Sequence, residues 1–386
     1  MHPLLATAPR ITDVRIVRPA YESAQSETLA WLARAHTEAE RAASSQPDDL
    51  DAARFEEDMG KLLRRFGCSP GSIARRGYEI PDVTRTSWAD MLVYDFSLGP
   101  EGAATHARML HFARVTERVF EALYPGAADP PRDLLHVTCT GYASPSAAQR
   151  LVAHRGWGST TRVLHAYHMG CYAALPAVRV AAALVGGGSS RADVVHTEIC
   201  SLHLRPLQHA PEQLVVQSLF ADGHARYSVV PASRCAGPGF ALLGAREELL
   251  PDSADVMTWT ASDSGMEMTL ARDLPKRVAT SVRAFVAALR SEVGGEPELF
   301  GPGTVYAVHP GGPRVIDAVQ SALELSDAQV AASRDVLLRH GNMSSATLPH
   351  IWRELLSSGG VAAGTPVVSL AFGPGLTMAG SIMVRV

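Results

Sequence analysis

The sequence predicts a layered α/β fold, and three observations carry the prediction. Short runs rich in β-branched residues alternate with amphipathic or alanine-rich runs of helical spacing over most of the chain. Breaks rich in Pro, Gly, Asp or Ser, such as residues 44–49 and 125–132, separate them. With 386 residues, 46% hydrophobic and 19% charged, the chain can bury a large core, so two domains or one duplicated fold are expected.

Taken in order, Ser26–Ala43 and Asp51–Phe66 carry apolar residues at helical spacing, so the chain up to about residue 70 reads as a helical entry. Thr105–Leu123 is an amphipathic helix. Beyond Arg132, the runs Leu134–Cys139, Thr161–His168, Asp193–Glu198 and Tyr227–Val230 read as strands, with helices such as Tyr172–Leu184 between them. A shift to Pro, Gly, Ala and Ser at Pro231–Gly239 divides residues 1–236 from 237–386. The second part continues with a strand at Met266–Leu270, a helix at Pro275–Val293 and a strand at Thr304–Val308. Helices at Val315–Leu323 and Asp327–His340 follow, the latter stopped by Gly341 as a C-cap, and two strands close the chain.

Composition excludes several function classes. The net charge is −4, and no Lys/Arg cluster with interleaved aromatics is present, so nucleic acid is not an expected partner. Arg64-Arg65 and Arg75-Arg76, the strongest basic features, read as solvated faces. Five cysteines, Cys68, Cys139, Cys171, Cys200 and Cys235, lack the spacing of a zinc finger or a disulfide framework, which fits a reducing cytoplasm. Met1–Ala6 lacks a signal-peptide pattern and no 18 apolar residues run together, so no membrane span is expected. Gly373-Pro374-Gly375 lacks the strand-to-helix setting of a dinucleotide fingerprint, so NAD is not expected and the turn reads as a close backbone approach.

One thiol stands apart. Met169-Gly170-Cys171 ends a strand-like run and opens an alanine-rich helix, which places Cys171 at a helix N-terminus. Val308-His309-Pro310-Gly311-Gly312-Pro313 and His340-Gly341-Asn342-Met343-Ser344-Ser345 set a histidine and an asparagine in similar turns. A thiol that titrates near ~8.5 when free drops to about 3.5–7.5 beside a helix N-terminus and an imidazole. Its thiolate can attack a thioester. With the cysteine acylated, a neutral His309 and the Asn342 amide make two donors for an oxyanion.

On these motifs, in this order and together with Leu219-Phe220-Ala221-Asp222-Gly223 and Ala371–Thr377, the chain resembles the type III polyketide synthases, the chalcone synthase-like branch of the thiolase superfamily, from Leu62 to Val386. Its Thr140-Gly141-Tyr142 is closer to the bacterial members. The resemblance implies a five-layered αβαβα fold of two similar halves, the first (1–236) carrying Cys171 and the second (237–386) carrying His309 and Asn342. It implies Cys171 as nucleophile and His309 with Asn342 as the enolate-stabilising pair. Phe220 falls at the phenylalanine between the acyl-CoA tunnel and the cavity, although Ala221 stands where glycine is usual. Cys139, Cys200, His203 and Met268 fall on the variable cavity wall, with Ser344 beside them and Trp259 near a position that is often glycine. The sulfur-rich lining suits an aliphatic chain. Lys61 and Arg64, three apart on one helix face, resemble the basic pair at the coenzyme A diphosphate. The alternative is delivery by an acyl carrier protein docking on exposed basic residues such as Arg75 and Arg76.

The expected activity is decarboxylative condensation of malonyl-CoA onto a Cys171-bound acyl group, followed by cyclisation to an alkylresorcinol or alkylpyrone. No metal or redox cofactor is required, and a homodimer pairing near Ser144-Pro145 is expected. Two other readings stand beside it: a single-condensation enzyme of the same superfamily using carrier-bound acyl groups, and a Cys/His/Asn hydrolase of papain type.

Overall fold

The structure, a computed structural model, describes residues 3–294, 297–357 and 361–386; Met1 and His2, part of the N-terminal reading above, lie outside the described residues. The chain opens with strand β1 (Arg10–Val17), then β2 (Tyr21–Ala24), α1 (Gln25–Ala43), α2 (Ala52–Phe66), β3 (Arg75–Tyr78) and α3 (Thr105–Leu123). Next come β4 (Asp133–Thr138), α4 (Ala147–His154), β5 (Arg162–Tyr167), α5 (Ala174–Gly186), β6 (Ala192–Glu198), α6 (Pro211–Leu219) and β7 (Gly223–Val230). The second part runs β8 (Gly239–Leu249), the hairpin β9 (Met257–Ser262) and β10 (Gly265–Leu270), α7 (Leu274–Ser291), β11 (Val305–Val308), α8 (Pro313–Leu323), α9 (Asp327–His340), α10 (Thr347–Ser357), β12 (Pro366–Gly373) and β13 (Thr377–Arg385).

Nine strands form one sheet in the order β11-β12-β13-β8-β1-β7-β6-β4-β5. Each part builds the same four-strand unit. In the first, β4 runs parallel to β6, which is antiparallel to β7, which is antiparallel to β1. In the second, β11 is parallel to β12, which is antiparallel to β13, which is antiparallel to β8. The units join where Arg10–Thr12 of β1 pair with Gly239–Ala241 of β8. The connection between β7 and β8 contains the expected 236/237 division.

Burial sorts these elements into layers. The apolar faces of α5 and α10 pack between strands of both units, with Ala177, Val178, Ile351 and Trp352 against Val194, Tyr227, Val367 and Met383. Helices α1, α3 and α4 cover the outer face of the first unit, and α7, α8 and α9 that of the second. The result is the αβαβα stacking.

One of these element expectations is corrected. The N-terminal segment is not purely helical, because β1 lies at the centre of the sheet. Its signal is weak: only Ile11 and Val14 are buried, and a left-handed Asp13 (φ 51°) with a register shift between Thr12 and Arg15 breaks the two-residue alternation. Met266–Leu270 is a strand, as expected, and belongs to the separate β9–β10 hairpin.

Burial also makes a pH prediction. His36, His136, His196, His203, His309 and His350 are each pushed from the usual 6.5 down to about 3, chiefly by desolvation. These rings stay neutral in the fold but take up protons once the chain unfolds below 6.5. Their stabilising contribution is therefore present above 6.5 and is lost between 6.5 and about 3, by roughly 1.4 kcal/mol per pH unit for each ring. Asp222, raised to about 7 by burial, and the raised Glu198 act in the opposite direction but are outnumbered. The urea midpoint is expected to fall steeply from pH 7 to pH 5; equal midpoints would contradict this account.

Candidate active site

The Cys171 loop is built by left-handed backbone at the end of β5. His168 (φ 62°) and Gly170 (φ 83°) turn the chain, and a Cβ at Gly170 would sit 2.8 Å from Pro374 Cδ. Gly373 is held as closely, since its Cβ would lie 2.0 Å from the Tyr172 ring. The Gly373–Gly375 turn therefore clamps the cysteine loop, as the close-approach reading expected. Cys171 itself is buried, just ahead of Ala173, the N-cap of α5.

Asn342 arrives from the other half. Helix α9 ends at Gly341 (φ 72°), and the next residue makes a parallel bridge to Phe220: the Asn342 N–H donates to Leu219 O at 3.0 Å and the Ala221 N–H donates to Asn342 O at 2.8 Å. Its side-chain Oδ1 accepts from the Ser344 N–H at 2.9 Å and from Thr347 Oγ1 at 3.4 Å. Both partners are donors here, so the carbonyl end of the amide is fixed and the NH₂ end faces Cys171. His309 follows β11, its N–H donating to Leu370 O at 2.7 Å, and neither ring nitrogen has a partner among the described residues. Cys171, His309, Asn342 and Phe220 line one cavity with about 330 Å³ of atom-free space.

The resting charge state differs from the expected thiolate. Burial pushes the Cys171 thiol up to about 12, more than Ser344 Oγ (3.8 Å from Sγ) and the Asn342 amide pull it down. Burial likewise pushes His309 down to about 3, which favours the neutral ring. The physical reason is that burial penalises both charged forms, and no hydrogen bond joins the two groups. Ionisation of Cys171 therefore has to follow from a change in this environment, with the unpartnered His309 ring as the available proton acceptor.

A second cavity, which shares Cys171, Phe220, Met257 and Met268 with the first, gathers Cys139, Cys200, His203 and Ser344 around Cys171. Every cavity position expected from the sequence is therefore present in the wall. His203 is a structural part of it. Its Nε2–H donates to Thr140 O at 2.8 Å and its Nδ1 accepts from the Met266 N–H at 3.1 Å, which fixes a neutral tautomer. Trp259 closes one side, its indole N–H donating to Cys139 O at 2.6 Å.

Lys61 and Arg64 are not brought to these cavities. Lys61 is exposed and pairs with Glu57 and Asp58, both at 2.9 Å, while Arg64 lines a cleft between α1 and α2. Arg76 is a correction: it is 1% exposed, not a solvated docking residue. On β3 it points inward while Arg75 points out and pairs with Glu22. Its guanidinium donates to Gln25 Oε1 at 2.8 Å, Gln217 O at 2.9 Å and Phe220 O at 2.6 Å, and so braces the Phe220–Asn342 bridge from behind. Arg76→Met would leave these acceptors buried and unpaired at about 1–3 kcal/mol each. A lower urea midpoint is expected, and an unchanged one would contradict the bracing role. Sequence reasoning also missed Glu198, wholly buried beside Cys139.

Models of the chalcone and stilbene synthases match residues 128–232 (the N-terminal domain) and 241–386 (the C-terminal domain). Type III polyketide synthase C of Arabidopsis thaliana is 30% identical over 301 residues, covering 74% of this chain and 78% of that protein. The chain belongs to the type III polyketide synthases. Another relative, 1,3,6,8-tetrahydroxynaphthalene synthase of Streptomyces coelicolor, is 30% identical over 245 residues, covering 63% of this chain and 64% of that one. The solved structure of that synthase superposes with a TM-score of 0.78 at 23% identity over 97% of this chain and 99% of that chain. The brown algal PKS-I of Ectocarpus siliculosus superposes with a TM-score of 0.82 at 22% identity, over 99% of each chain. These likenesses establish the thiolase fold for this polyketide synthase. Among the described residues no helix is long and apolar enough to cross a membrane.

Proposed function

We propose that this synthase loads a starter acyl group from coenzyme A onto Cys171 and extends it with malonyl-CoA, closing the chain to an alkylresorcinol or alkylpyrone. The observation that carries the reading is the fixed Asn342 amide. Its NH₂ end and the unpartnered His309 ring share one cavity with Cys171, the thiol that lines both cavities.

In the loading step the Cys171 proton passes to His309, the sulfur attacks the acyl carbonyl, and the coenzyme A thiol leaves with a proton. In the second step malonyl-CoA loses carbon dioxide. The electron pair of the broken C–C bond becomes an enolate whose oxygen takes hydrogen bonds from Asn342 and neutral His309, beside the ring of Phe220. The enolate carbon attacks the acyl-cysteine and expels the Cys171 thiolate. The chain, now one unit longer on coenzyme A, reloads. Decarboxylation supplies the carbanion, so these steps call for neither a metal nor a redox cofactor.

The lining supports an aliphatic starter, with Met257, Met268, Cys139 and Cys200 as soft walls. Trp259 limits its length. Trp259→Gly should shift the preference towards longer acyl-CoAs, measured as the ratio of kcat/KM for long and short starters; an unchanged ratio would remove Trp259 from the starter path. Delivery by coenzyme A is preferred over a carrier protein, because burial of Arg76 takes away one of the basic residues that the carrier alternative invoked. A cytoplasmic homodimer, pairing near Ser144-Pro145, is part of the same reading. Incubating the pure protein with malonyl-CoA and a panel of aliphatic and aromatic acyl-CoAs, read by mass spectrometry, tests it. Cyclised ketide products from aliphatic starters are expected, and the absence of any malonyl-CoA consumption would refute it.

A further inference from the structure

A chain of buried polar groups that the condensation steps do not use ends beside Cys171. Glu198, the last residue of β6, is wholly buried. Its Oε2 accepts from the Cys139 N–H at 3.1 Å and from Thr140 Oγ1 at 3.0 Å, and its Oε1 meets Ser345 Oγ in a short hydrogen bond. Ser345 Oγ lies 3.0 Å from His196 Nδ1, His196 Nε2 lies 3.5 Å from the Tyr227 hydroxyl, and that hydroxyl donates to Ala174 O at 3.3 Å. Ser345, His196 and Tyr227 are at most 1% exposed.

The protons can be placed from the far end. A carbonyl oxygen only accepts, so the single Tyr227 proton goes to Ala174 O and the Tyr227 oxygen accepts from His196 Nε2–H. The neutral ring then has a lone pair at Nδ1, which accepts the Ser345 proton. Ser345 Oγ has no second proton to give, so the proton in its bond with Glu198 belongs to the carboxyl group. We propose that His196, acting through Ser345, holds Glu198 as a neutral carboxylic acid, so that no fixed negative charge opposes ionisation of the Cys171 thiol.

The surroundings agree. The groups facing Glu198 are the thiols of Cys139, Cys171 and Cys200 and the hydroxyls of Thr138, Thr140 and Ser345, none of them a cation. Around His196 the titratable neighbours are His136, His350 and Tyr227, all kept neutral by burial. Cys139 Sγ sits 3.5 Å from Glu198 Oε2 and 3.1 Å from Ser344 Oγ, and that hydroxyl reaches Cys171 Sγ at 3.8 Å. A carboxylate at this place would therefore bear directly on the nucleophile. His196 is a positioning residue in this scheme.

The inference rests on Cys171 being the group that ionises. Its readout needs no malonyl-CoA, so failure of the polyketide reading and failure of this one are separable. The experiment is the rate of Cys171 alkylation by iodoacetamide against pH, followed on the Cys171 peptide by mass spectrometry in the full chain. Glu198→Gln, a neutral isostere, should leave the midpoint where it is in the parent. His196→Leu frees the Ser345 proton to face Glu198, so the carboxyl can ionise; the Cys171 midpoint should rise by about one pH unit, roughly tenfold slower alkylation at fixed pH. Glu198→Gln added to His196→Leu should cancel that rise, whereas a merely structural effect of the leucine would survive. A midpoint that falls by a unit or more in Glu198→Gln alone would show that the carboxyl is charged in the parent and would overturn the proposal, even if His196→Leu fails to fold.

Discussion

Cys171→Ala is expected to eliminate acyl-enzyme formation and to lower chain extension by at least about 10⁴-fold, since the variant has no sulfur to hold the growing chain. Cys139 and Cys200 share the cavity, but burial pushes both thiols well above their ordinary range and neither faces the Asn342 amide through a bond of its own. Malonyl decarboxylation should persist at a reduced rate, because His309 and Asn342 remain in place. Intact-mass measurement after exposure to an acyl-CoA reads loading directly. Loading of the alanine variant at the parent level would remove Cys171 from the mechanism.

Asn342→Ala and His309→Ala should separate two steps. The amide offers a hydrogen bond but no useful acid–base chemistry near neutral pH, so its loss should leave loading of Cys171 intact. Decarboxylation and extension should fall by about 10²–10³, the usual effect of one missing oxyanion donor. His309→Ala should impair loading as well, because the resting thiol keeps its proton and the imidazole is the acceptor in reach of the same cavity. Stopped-flow loading and malonyl decarboxylation, measured on each folded variant, test the division. Equal loading defects in the two would show that the roles are wrongly assigned.

Legibility of these features in the sequence followed their physics. The Cys171, His309 and Asn342 turns are flanked by glycines at places where the backbone is left-handed or closely packed, and such turns stand out from periodic runs. Helices α3 and α9 agree at both ends with the sequence reading: α3 carries a buried apolar stripe through Phe112, Val115, Val119 and Leu123, and α9 is bounded by the Ser326/Gln329 capping box and by Gly341. Strand β1 was hidden by its bulge at Asp13, where alternation fails. The charge of Arg75-Arg76 alone reads as a solvated face, whereas the two-residue period of β3 sends the neighbouring arginines to opposite faces. Glu198 closes a strand whose polar members, His196 and Thr197 among them, are all buried, and only the fold supplies the partners that make this tolerable. The thiol charge state was equally out of reach, since it turns on burial that no motif records.

The most direct test of the central claim is a single-turnover chase. The parent protein is loaded with an isotopically labelled aliphatic acyl-CoA, freed of excess donor, and then mixed with malonyl-CoA, with samples analysed by peptide mass spectrometry and product extraction. The label is expected on the Cys171 peptide before the chase and afterwards in a carbon–carbon-extended ketide. Label on any other residue, or its release solely as the unextended free acid, would contradict the account.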